Sequence, residues 1–195
     1  MTGRSDVADT PETFRAALAS LREVAVRPEV VLSEAPAPQR LAPYAVALTA
    51  DVVVDDEELA TGRLVVLHDP AGHEAWGGSF RVVTFVRADV DPEVAADPVL
   101  AEVGWTWLEE ALSGHGLMAG ALSGTVTRVT SQGFGGMADK APDTELEVRA
   151  SWTPDGPDVG PHLLAWTELL CTAAGLPPVP PGVTPMPSRR GSRLR

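Results

Sequence analysis

His68, Asp69, His73 and Glu74 form the densest group of metal-ligating and acid–base side chains in the chain. A turn after Pro70 brings both imidazoles to one edge. Zinc sites, however, take three or four ligands held by outer partners, and this stretch offers two strong ones. It is read as a hairpin in which Asp69, Pro70 and Gly72 serve turn geometry, so no metal is assigned. Gly133, Gly135 and Gly136 suggest a phosphate-cradling loop, but such loops run into a helix N-terminus, usually through Lys-Ser/Thr. Here Met137-Ala138-Asp139-Lys140-Ala141-Pro142 follows, so the segment is expected to be a hairpin loop with no cofactor, its Phe134 exposed for contact with another protein. Arg40, Arg128 and Arg149 stand out against an acidic background, and a guanidinium fork suits a carboxylate or phosphate. Arg128 and Arg149 are placed on adjacent strands, out of phase with the apolar residues. The competing expectation is pairing with Glu145 or Glu147 across the sheet. No Gly-x-Ser-x-Gly occurs, and Cys171 reads as a buried, inert thiol on a helix flank, so no catalytic residue is assigned.

These residues must be positioned by elements that hydrophobic spacing makes visible. Phe14, Leu18 and Leu21 recur at helical spacing after Thr10-Pro11, giving a first helix over 11–24. Glu29 to Ser33 is a short strand candidate. Three longer strands follow, over 44–54, 63–68 and 79–90, with turns expected at 55–58 and 69–72. Asp97-Pro98 opens a second helix whose stripe is Leu100, Val103, Trp107, Leu108 and Ala111. Trp105 projects off that stripe, and Trp76 falls at a loop end; both are expected to mark protein contacts. Strands over 125–131 and 145–153 and a third helix from Pro161, capped by Gly175, complete the set. The expected fold is α+β: an antiparallel sheet of about five main strands in the order α-βββ-α-ββ-α, helices on one face. Residues 1–10 and 178–195 read as a polar arm and a Pro/Arg-rich tail around one domain at 11–177.

Composition narrows the partners. The 195 residues carry a net charge of −12, and four of the arginines (Arg189, Arg190, Arg193, Arg195) sit in the tail. So negative a body repels phosphate backbones, and nucleic-acid binding by the folded domain is not expected. With one cysteine no intramolecular disulfide forms. Met1 to Thr10 lacks the apolar stretch of a signal peptide and no run matches a membrane span, so a cytoplasmic, non-membrane protein is expected.

Several strings are familiar as a set: Arg40-Leu41-Ala42-Pro43-Tyr44; His68-Asp69-Pro70-Ala71-Gly72-His73 with Trp76; Gly124-Thr125-Val126-Thr127-Arg128; Phe134-Gly135-Gly136; Arg149-Ala150-Ser151-Trp152-Thr153; and Cys171 with Gly175-Leu176-Pro177-Pro178. Together they resemble an actinobacterial family of uncharacterised proteins, a domain of unknown function, over about residues 11 to 180. That resemblance implies a bacterial, non-secreted protein and brings no assigned activity. The element order also resembles the type III secretion chaperone-like fold, a family of small acidic dimers.

The functional expectation is a non-enzymatic, chaperone-like protein-binding module that uses Trp76, Trp105 and Phe134, and that pairs as a homodimer. The alternative is a small-molecule-binding protein or minor enzyme whose ligand meets Arg40, His68, His73, Arg128 and Arg149. The two differ in geometry: the alternative requires those groups to converge in a concave site.

Overall fold

The computed structural model describes residues 10–140 and 142–178; the expected N-terminal arm up to residue 9 and the tail from residue 179 lie outside the described residues. Six strands form one antiparallel sheet: β1 (Val30–Ala35), β2 (Tyr44–Val54), β3 (Glu57–His73), β4 (Gly78–Asp89), β5 (Gly120–Ser131) and β6 (Asp143–Thr153). Their spatial order is β1-β2-β3-β4-β6-β5. The helices are α1 (Glu12–Arg22), the single turn α2 (Pro92–Ala95), α3 (Leu100–Gly114) and α4 (Gly160–Ala173). The α+β expectation holds, with the short stretch at 30–35 promoted to a full sixth strand.

Alternation decides which face each residue serves. Leu64, Val66, Val82, Val86, Leu146, Val148 and Trp152 are buried towards the helices. The main core also takes in Phe14, Ala17 and Leu21 of α1, Leu108 and Leu112 of α3, and Leu163, Trp166 and Leu170 of α4. α4 lies across the middle of the layer and touches α1, α3, β2, β3 and β4. At Gly62 an added Cβ would come within 2.8 Å of Phe85 O and 3.0 Å of both Trp166 Cζ2 and Leu170 Cδ2. α4 can sit that close only because position 62 has no side chain. On the opposite face Ala47, Val65 and Leu67 are covered by Ala37 and Ala42, from the strap between β1 and β2, and by Trp76.

β4 and β5 are both antiparallel to β6 and therefore run parallel to each other. The chain leaves β4, crosses the sheet through α3, descends at the edge as β5 and returns as β6 into the gap beside β4. The turn expected at 69–72 is displaced. The β3–β4 register shifts between His68 and His73, where Asp69 Oδ1 accepts a hydrogen bond from the Ala71 N–H and Gly72 takes a positive φ. The strands continue through this bulge, and the tip is a single 3-10 turn, Glu74–Trp76, closed by left-handed Gly77. The acidic turn shortens to Asp55-Asp56, both with positive φ, as a tight hairpin requires.

Candidate functional site

The structure separates the residues that the small-molecule alternative brings together. His68 is buried on the helix face, stacked on Phe80 at 4.1 Å and on Phe14 at 5.9 Å between ring centroids. Its Nδ1–H donates to Ser79 O at 3.0 Å, and its Nε2 shares a hydrogen bond with Thr13 Oγ1 at 3.2 Å. A carbonyl can only accept, so Nδ1 carries a proton, and both ring nitrogens are committed to contacts within the fold. His73 instead lies exposed at the β3–β4 tip, stacked on Trp76 at 4.5 Å. Among the described residues no three His, Cys, Asp or Glu side chains stand close enough to hold a metal ion.

Arg128 and Arg149 point to opposite faces, against the expectation that they share one. Arg128 is in register with Leu146 and so lies on the helix side, whereas Arg149 is in register with Thr125 on the open side. Arg128 Nη1 donates to Ala95 O and Asp97 O, both at 3.1 Å, tying β5 to the corner before α3. Arg149 pairs with Glu147 at 2.9 Å and lies over the Phe85 ring, 4.7 Å from its centroid. This is the carboxylate pairing that competed with the ligand reading, made along β6 and not across the sheet, because Glu147 and Arg149 share that strand. Arg40 is exposed on the strap between β1 and β2.

The three expected contact residues divide differently. Trp105 does not form an exposed ridge: it is half-buried on β5, where an added Cβ at Gly124 would meet Trp105 Cζ3 at 2.8 Å. The glycine on the strand makes room for the tryptophan of the helix. Trp76 is half-buried over Val65 and Leu67. Phe134, 76% exposed, stands at the β5–β6 tip, with Met137 and Val129 also exposed nearby along the hairpin.

The open face carries a basic group that sequence reasoning passed over. Arg63, Arg81, Arg87 and Arg149 all project from it, in register with the outward residues of β3, β4 and β6. Arg63 bonds Pro36 O of the strap, and Arg87 pairs with Glu145. Arg81 differs. It is 8% exposed and makes no ion pair with any described residue. Its Nη1 donates to Thr153 Oγ1 at 3.0 Å, and its Nη2 to Ala121 O at 3.1 Å, Ser151 O at 3.2 Å and Ser151 Oγ at 2.6 Å. Nothing in the sequence marks it, because an arginine in the outward register of an alternating strand reads as solvated. Beside it lies a cleft of about 450 Å³ between the β3–β4 tip, the start of β5 and the loop after β6.

At the sheet edge, β5 offers a second surface. It runs for 12 residues, nearly all exposed, with β6 as its single strand neighbour among the described residues. Edge strands are usually guarded by charge, proline or brevity. β1, at the other edge, is short, carries Glu34 and ends on Pro36. β5 has one charged residue, Arg128, and no proline.

A family model described as "Protein of unknown function (DUF3000)" matches residues 10–184. The chain belongs to the DUF3000 family. In this DUF3000 chain the matched stretch takes in all six strands and all four helices, so the cleft, the edge and the helix layer are parts of one family domain. No curated protein and no solved structure matches it.

Two titratable groups inside the DUF3000 domain are strongly displaced. Burial pushes His162 down to about 4, against the pull of Asp158 and Asp155. Burial also pushes the Cys171 thiol up to about 11, with Arg27 acting in the opposite sense. Both sit in the helix layer, remote from the open face, and a neutral thiol in that position is a poor nucleophile. Among the described residues no helix is long and apolar enough to cross a membrane.

Proposed function

We propose that this protein is a non-enzymatic binding module that takes an extended segment of another protein onto the free edge of β5. The observation that carries this reading is the unguarded edge itself: 12 residues of strand with no strand on the outer side among the described residues and one charge along their length. Alternate backbone N–H and C=O groups of an edge strand point outward and accept a further strand, with affinity from main-chain bonds and selectivity from side-chain pockets. Val129, Phe134 and Met137 offer apolar contacts at one end of that edge, which favours an incoming segment with alternating apolar side chains. A binding role is supported over a catalytic one by His68, Arg128 and Arg149, each committed to contacts within the fold. The charge of −12 disfavours nucleic acid, and a lone buried thiol suits a cytoplasmic protein.

The test uses hydrogen exchange on the full chain, alone and with proteins co-purified from its own cell extract. In the free chain the outward amides of β5 exchange freely. A bound partner is expected to protect them, and Val129→Lys to abolish capture without lowering the melting temperature. Protection confined to another element removes the β5 reading. A dimer of the chain itself that Val129→Lys splits would make the occupant a second copy.

A further inference from the structure

α3 lies along β5 and runs antiparallel to it. Asp97 O, just before the helix, accepts from Arg128. An added Cβ at Gly104 would meet Val126 Cγ1 at 3.3 Å and Leu146 Cδ2 at 3.2 Å, and Trp105 rests on Gly124. The helix thus advances while β5 is traced back from Arg128 through Val126 to Gly124. Trp105 follows Gly104 by about 100° of helix rotation. β4 and β5 are parallel, and crossovers between parallel strands are almost always right-handed. In that hand the step from Gly104 to Trp105 turns away from α4, towards the free side of β5. Ala101, four residues before Trp105 on the same flank, is exposed. A strand added to β5 would raise every second side chain along this flank of α3.

Two carboxylates rim it. Glu102 and Glu109 stand three residues before and four residues after Trp105, so helical spacing puts all three on one face. Both are exposed, and neither carboxylate has a hydrogen-bond or ion-pair partner among the described residues. Arg128, the one charged residue of β5, is tied to Ala95 O and Asp97 O and pairs with neither. Free glutamates on a helix surface are ordinary; beside an open strand edge they select the incoming side chains by charge, and the net charge of −12 adds to the same field. Lysine and arginine stems can cover an aromatic ring while their heads reach further out. The spacing agrees: Glu102 and Glu109 are about 10.5 Å apart along the helix axis, and strand residues four apart span about 13 Å. Long flexible side chains absorb that difference.

We propose, resting on the edge-strand reading of β5, that the segment it takes is basic on alternate residues. Two lysine or arginine side chains four residues apart rise beside α3 to Glu102 and Glu109, and a small residue midway between them faces Trp105. The residues of opposite phase are apolar and lie on the open face, on which Val129 is exposed.

The isotope-labelled full chain is titrated at low salt with the peptide acetyl-Thr-Lys-Val-Ala-Val-Lys-Val-Thr-amide while amide shifts are followed. In a strand this peptide carries both lysines and its alanine on one face and its valines on the other. Saturable shifts are expected along β5 from Gly124 to Val129, with a Kd on the order of 100 μM. Glutamine in place of both lysines should weaken binding about five-fold, and glutamate roughly ten-fold or more. In the double variant Glu102→Gln, Glu109→Gln the lysine peptide should lose its advantage over the glutamine peptide. Both positions are exposed, so the variant should melt as the wild type does. A peptide of the same composition with its lysines adjacent should bind more weakly than the alternating one. Equal shifts of β5 by the lysine, glutamine and glutamate peptides overturn the charge assignment and leave the edge-strand reading standing. A lysine preference that survives in the double variant overturns it too, as does equal binding by the adjacent-lysine peptide. If no peptide shifts β5 below about 2 mM, the edge-strand reading fails and this inference with it. Outward β5 amides already protected from exchange in the free chain would mean that the chain fills its own edge, through its tail or a second copy, and would overturn a basic segment from another protein.

Discussion

Acidification should unfold this protein partly through one residue, His162. Trp152 Nε1–H donates to His162 Nδ1 at 3.0 Å, and both rings are buried between β6 and α4. The bond requires Nδ1 to be bare, so the ring is neutral with its proton on Nε2. Protonation would put a charge in the core and set an N–H of the histidine against the N–H of the tryptophan. The pKa is accordingly pushed by burial from 6.5 down to about 4. As the pH falls below 6.5 the unfolded chain takes up this proton and the native chain resists it, so the native state loses stability until about pH 4 and little further below. The full loss is about 3 kcal/mol, of which about 2.5 kcal/mol has gone by pH 4.5. Urea melts at pH 7 and pH 4.5 measure it. His162→Gln supplies the control, because the amide oxygen can accept from Trp152 but does not titrate. Carboxylates elsewhere contribute equally to both proteins and cancel. Wild type should therefore lose about 2.5 kcal/mol more than the variant over this interval. Equal losses would refute the placement of a neutral His162 in the core.

Two further outcomes follow from the helix layer. Gly62→Ala should lower stability by about 1–3 kcal/mol in a denaturant melt, since its Cβ strikes backbone at Phe85 and side chains of α4. Cys171, with its pKa near 11, should resist a thiol reagent at pH 8 in the native protein and react within minutes once unfolded, as absorbance of the released thiolate would show.

Much of this architecture was legible where one face is wet and the other dry. β2 coincides with its expected span, Tyr44 to Val54, because alternation there is nearly unbroken. β1 was visible only as a short stretch, and the β3–β4 tip was misplaced. Asp69-Pro70-Ala71-Gly72 has the composition of a turn, and local composition cannot distinguish a turn from a bulge that long strands run through. The order of β5 and β6 depends on the crossover after β4 and leaves no mark in local periodicity. The same limit governs the candidate sites. Trp105 looks stranded on an isolated helix, and its seat exists only where Gly124 of a distant strand comes beneath it. Arg81 becomes conspicuous only in the folded chain, where it is buried among neutral acceptors. Arg128 and Arg149 look alike in the sequence; the register of β5 on β6 sends them to opposite sides.

The position of α4 also dictates when this chain can fold. Ten of its fourteen residues are buried, and it covers the centre of a sheet whose strands β1 to β4 are complete by Asp89. A ribosome adds about 5–20 residues per second, so roughly five to fifteen seconds separate the synthesis of β4 from that of Ala173. Throughout that interval Leu64, Val66, Val82 and Val86 have no lid, and β4 lacks its neighbour β6. The nascent chain thus presents a bare apolar sheet with an unpaired edge, a surface prone to aggregation and suited to chaperone capture. Its yield in the cell should depend on how quickly the stretch of the message between β4 and the end of α4 is translated, and a slow codon run placed between β4 and α4 should be more harmful than one placed before β1.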